Sequence, residues 1–93
     1  MRVATLEVDF RIPGADSLKE KRKIVKSLKD RIRARFAVAV AETGAQELHA
    51  RAMIGVAAVS GESGPVERAL DEIQRLFESD PRIIVVEAVR ERY

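Results

Sequence analysis

From Val3 to Ile12 apolar and polar side chains alternate. Ala4, Leu6, Val8, Phe10 and Ile12 fall on one side, Thr5, Glu7, Asp9 and Arg11 on the other. Period-two alternation predicts a strand with one buried face, and Pro13-Gly14 ends it. Ser17-Leu18-Lys19-Glu20 then has capping-box spacing, with Ser17 placed to accept from an early helical N–H and Glu20 to reach back to the cap. A helix over about residues 18–35 gathers Leu18, Ile24, Val25, Leu28, Ile32 and Phe36 on one arc. The apolar run Phe36 to Ala41 reads as a second strand, Glu42 to Ala50 as a loop, and Ala52 to Val59 as a third strand. Gly64-Pro65 opens a second helix, where a first-turn proline loses no hydrogen bond. Its core stripe is Val66, Ala69, Leu70, Ile73, Leu76 and Phe77. Ser79-Asp80-Pro81 stops it, and a fourth strand starts at Ile83 and reaches about Val89.

The order β-α-β-β-α-β predicts an α+β fold, the ferredoxin-like plait: a four-stranded antiparallel sheet with two helices on one face, as one domain over residues 1–93. Right-handed crossovers put strands one and three in the centre. Strands two, three and four read as apolar on both sides, while the helices cover only one. Such runs ordinarily mean burial on both sides. A second copy of the sheet is therefore expected on the open face, in a homodimer or higher homo-oligomer. Glu7, Asp9, Arg11, Met53 and Ala57 are the expected interface residues, with Glu7 or Asp9 of one chain meeting Arg11 of the other.

Composition narrows the chemistry. The chain has 93 residues and no cysteine, which excludes disulfides, thiolate metal sites and cysteine catalysis. No apolar run approaches the roughly 20 residues of a membrane helix, and Met1-Arg2-Val3-Ala4-Thr5 does not read as a signal peptide. A cytoplasmic protein is expected. High arginine with no asparagine suits a thermophile, and a GC-rich genome would give the same bias.

Charge changes the picture more. The net charge is only +2. Residues 19–35, however, hold 9 basic and 2 acidic side chains, leaving 8 basic and 13 acidic elsewhere. All 5 lysines lie in that segment.

Ile12-Pro13-Gly14-Ala15, Ser17-Leu18-Lys19-Glu20-Lys21-Arg22 and Glu78-Ser79-Asp80-Pro81-Arg82 resemble the YlxP-like family of small bacterial proteins of unknown function, across essentially the whole chain. The resemblance implies a ferredoxin-like fold and, through gene neighbourhood, a link to translation. It brings no activity.

The basic helix face is the main candidate for function. Lys19, Arg22, Lys23, Lys26, Lys29 and Arg33 share one arc interrupted only by Asp30, a footprint suited to phosphates. A solvated surface is the plain alternative. Lys21 points into the apolar arc instead. Its stem is expected to cover the core edge with the ammonium escaping outward, or to form a phosphate pocket with Arg22 at the strand–helix corner. Base stacking on the sheet is not expected, because the positions it needs carry Thr5, Glu7, Asp9 and Arg11. Glu7 and Asp9 lack a third ligand or a nearby base, His49 stands alone, and Ser17 reads as a cap. No catalytic residue, metal or cofactor is assigned. The expected function is that of a non-enzymatic accessory factor for ribosomal or other structured RNA. The alternative is a homodimeric small-molecule-sensing or protein-interaction scaffold.

Overall fold

Residues 1–93 are described by a computed structural model. The alternation becomes β1 (Arg2–Arg11), with Ala4, Leu6, Val8 and Phe10 buried and Thr5, Glu7 and Asp9 half-buried on the other side. Next comes α1 (Leu18–Arg35), capped by Ser17, whose Oγ accepts from the Glu20 N–H at 3.2 Å. The return bond falls one residue earlier than expected, since the Asp16 N–H donates to Glu20 Oε2 at 3.1 Å. The chain continues through β2 (Ala39–Gly44), β3 (Arg51–Ser60), α2 (Ser63–Glu78) and β4 (Ile84–Arg92). Sheet order is β2-β3-β1-β4 with every neighbouring pair antiparallel, which is the α+β ferredoxin-like plait.

One core joins both helices to the inward side of the sheet. Val25, Leu28 and Ile32 of α1 and Val66, Leu70, Ile73, Leu76 and Phe77 of α2 cluster with the inward residues of β1 and β3. Phe10 and Phe77 are fully buried with ring centroids 5.7 Å apart. Burying one such side chain contributes about 1.5–3 kcal/mol.

The second strand differs from its expected span, Phe36 to Ala41. The Phe36 N–H still donates to Ile32 O at 2.9 Å, so Phe36 closes α1, and pairing starts only where Ala39 meets Ala57. At the other end the strand runs through Glu42 and Thr43, which read as loop. Glu42 opposes buried Ile54, so it occupies an inward strand position despite its charge.

The open face is also less apolar than expected. Met53, Gly55 and Ala57 are half-buried among their neighbours, and Val59, Ile84, Val86 and Val89 are exposed. Alongside them, β4 brings Glu87 opposite Asp9 and Glu91 opposite Thr5.

Candidate functional site

The exposed flank of α1 is built by helical period alone. Its inward arc is Lys21, Val25, Leu28 and Ile32, so the side chains pointing away from it meet solvent. Lys19, Arg22, Lys23, Lys26 and Arg33 are exposed there and Lys29 is half-buried. Lys19, Arg22, Lys23 and Lys29 take part in none of the ion pairs of the chain. Lys26 donates to Asp30 at 2.7 Å, one turn on, and this hydrogen bond holds the Asp30 carboxyl below the usual carboxylate range. Arg33 bends toward the sheet, where Nη2 donates to the Val40 carbonyl of edge strand β2 at 3.1 Å. That contact fixes the end of the flank and occupies an edge carbonyl that would otherwise be open to pairing.

Lys21 behaves unlike the other lysines and unlike either expectation for it. It is 1% exposed, its Nζ donates to the Ala45 carbonyl, and it lies 3.0 Å from Glu42 Oε2. That oxygen has no hydrogen bond of good geometry, so the pair is held by charge. Ala45 presents its carbonyl from a left-handed conformation, φ 56°, which costs a non-glycine residue about 1–2 kcal/mol. The ammonium is therefore neither snorkelled into solvent nor open to a phosphate.

On the sheet face Glu7 and Asp9, two of the residues assigned to an interface, find partners within the chain. Arg51 Nε and Nη2 both donate to Asp9, at 2.8 Å each. This bidentate bond lowers the Asp9 pKa and raises that of Arg51. Thr43 Oγ1 donates to Glu7 Oε2 at 2.8 Å, reaching from β2 to β1 over Gly55. A Cβ on Gly55 would stand 2.6 Å from the Thr43 methyl group, so the missing side chain makes room for the bridge. Glu7 and Asp9 thus have no unmet need for Arg11 of a second chain. Arg11 itself is exposed and forms no ion pair, while Met53 and Ala57 sit half-buried opposite Asp9 and Thr5.

Two features were not found from sequence. Asp80 is buried and accepts from the Arg82 N–H at 2.9 Å, from its Nε at 3.0 Å and from its Nη2 at 2.7 Å. Arg31 of α1 adds a contact at 3.4 Å. The Arg82 hydrogen bonds hold the Asp80 carboxyl below its usual value. The second feature is a ladder between β4 and α2. Arg90 donates to Asp71 at 2.7 Å and to Gln74 at 3.0 Å, and Arg92 to Glu67 at 2.8 and 3.1 Å. The ladder and the Arg31 contact need the packed fold to bring distant residues together, whereas the Asp80–Arg82 bonds are local to Ser79-Asp80-Pro81-Arg82. His49 Nδ1 lies 2.9 Å from the Ala15 carbonyl, which makes Nδ1 the protonated nitrogen and the ring a strap between loops. No three His, Cys, Asp or Glu side chains converge as a metal site would require, and no helix is long and apolar enough to cross a membrane.

Comparison with known proteins bears out the family resemblance. The chain is 35% identical over 77 residues, 83% of its own length and 84% of the relative's, to "Uncharacterized protein YlxP" of Bacillus subtilis (strain 168). Residues 3–90 match the family described as "Protein of unknown function (DUF503)", and the chain belongs to that family.

Proposed function

We propose that this protein is a non-enzymatic accessory factor that docks on ribosomal or other structured RNA through the outward flank of α1. One observation carries the reading: Lys19, Arg22, Lys23 and Lys29 lie in no ion pair along one flank, while Glu67 and Asp71 of the other helix are matched to arginines of β4. Cations placed this way neutralise phosphates and release counterions, which needs no stacking platform and no catalytic group. Fluorescence anisotropy with a structured ribosomal RNA fragment across a salt series tests it, comparing the wild type with a Lys19→Glu, Arg22→Glu, Lys23→Glu, Lys29→Glu variant. Support is binding tighter than the nonspecific range of roughly 10⁻⁴ to 10⁻⁶ M, with a steep salt slope that the variant loses. Superimposable curves for the two proteins would overturn it.

A second reading rests on exposed Val59, Ile84, Val86 and Val89. A second copy covering them would give a homodimer able to serve as a small-molecule-sensing or protein-interaction scaffold. Arg11, Met53 and Ala57 would lie in that interface, and Glu7 and Asp9 would keep their partners within the chain. Light scattering separates the cases: a particle of twice 10.4 kDa supports it, and a monomer at every concentration excludes it.

A further inference from the structure

We infer, resting on the RNA-docking reading above, that the RNA segment received by α1 is base-paired rather than single-stranded. Single-strand binders take much of their affinity from bases stacked on aromatic side chains. The chain has only 3 phenylalanines and 1 tyrosine, and none offers a free ring beside the cationic flank. Phe10 and Phe77 are buried against each other. Phe36 is half-buried at the end of α1, with the Arg35 guanidinium 5.3 Å above its ring. Tyr93 lies beyond β4 and donates its hydroxyl to Glu91 at 3.1 Å. The flank therefore reads phosphates and not bases, and a duplex presents phosphates with its bases turned inward.

Spacing favours the same partner. Lys19, Arg22, Lys26, Lys29 and Arg33 follow one another at intervals of three or four residues. A helix sets such side chains about 4.5–6 Å apart along a straight file about 21 Å long. The Arg33 bond to Val40 pins one end of the file to β2. A duplex holds its phosphate row in place, so only the lysine and arginine stems must order on it, whereas a flexible strand loses its own conformational freedom as well.

Charge density adds a magnitude. The flank carries 6 cations against the carboxylate of Asp30, a net 5. Each neutralised phosphate steepens the dependence of log affinity on log salt by about 0.9 on a duplex and about 0.7 on a single strand. Over five phosphates the difference is about one log unit per decade of salt. A duplex is then favoured about tenfold at 0.1 M salt if the two bind equally at 1 M.

The test is anisotropy on the wild-type protein with an RNA duplex and an unstructured oligouridylate of the same length, each across a salt series. The expected result is duplex binding about tenfold tighter at 0.1 M, with the steeper slope. Equal or tighter binding of the single strand overturns this inference and leaves docking through α1 standing. Failure to bind either RNA in a salt-sensitive way overturns both. The comparison is between two RNAs on one protein, so it does not depend on any variant folding.

Discussion

Both helices lie on the same side of the sheet and both turn charge outward, but they treat it differently. On α2, Glu67 and Asp71 receive Arg92 and Arg90 of β4 through charge-assisted hydrogen bonds of 2.7–3.1 Å. On the outward flank of α1 a single carboxylate, Asp30, faces six cations and engages Lys26. Residue choice follows the difference. The cross-links of β4 to α2 use arginine, whose planar fork matches a carboxylate with two parallel donors. The flank of α1 is mostly lysine, a hydrated point charge on a flexible stem. The acids of α2 nearest β4 thus cross-link the fold, while four cations on the outward flank of α1 are left free for another molecule.

Breaking the free charge should have the largest effect. Reversing Lys19, Arg22, Lys23 and Lys29 to Glu is expected to weaken duplex RNA binding about 1,000-fold at 0.1 M salt. The melting temperature should hold, because none of the four has an ion-pair partner to lose. Both quantities come from anisotropy and a circular dichroism melt on one preparation.

The fifth lysine sharpens the contrast between buried and free cations. Lys21→Met leaves the Glu42 carboxylate without its cation and is expected to cost about 3 kcal/mol in a urea titration. Adding Glu42→Leu should restore most of it, since an apolar pair replaces a buried ionic one at little net cost. RNA binding should not change in either protein.

Asp80 comes next. Asp80→Ala removes the acceptor shared by Arg82 and Arg31 and should cost about 2 kcal/mol. Its lowered pKa also gives a pH dependence. On acidification the unfolded chain takes up this proton at the ordinary carboxylate pKa, and the folded chain only below it. The stabilisation is therefore complete above about pH 4 and is lost as pH falls through the lowered folded-state value. Urea midpoints for the wild type and Asp80→Ala should converge over that acidic range.

Arg90→Ala cuts the ladder between β4 and α2 and should lower the melting temperature by a few degrees while leaving RNA affinity unchanged. The smallest change is expected at Asp30. Asp30→Asn removes the one carboxylate of the flank and should tighten RNA binding about threefold, with a slightly steeper salt slope.

Legibility in the sequence followed locality. The β1 alternation and the α1 arc are periodic signals, and the structure keeps both. The cationic flank was legible for the same reason, as was Ser17 as a cap. Lys21 and Glu42 were each misread because each sits at an inward position of its own element. A lysine in an apolar arc looks like snorkelling, and a glutamate after an apolar run looks like the start of a loop. Only the packing of α1 on β2 brings the two charges together and accounts for both. Asp9 and Arg51 raise the same problem, because 41 residues separate them between their positions and only the β1–β3 register makes them partners. What sequence could not provide was which cations are already engaged: Arg33 bonds a backbone carbonyl, and no side-chain pattern marks such an acceptor.

NMR amide shift mapping during titration with duplex RNA tests the division between the two helices most directly. Shifts concentrated on residues 18–35, with 63–78 unmoved, would match docking on the free cations of α1. Shifts centred on α2, or on Thr5, Glu7, Met53 and Ala57 of the open sheet, would contradict it, and so would a spectrum that RNA leaves unchanged.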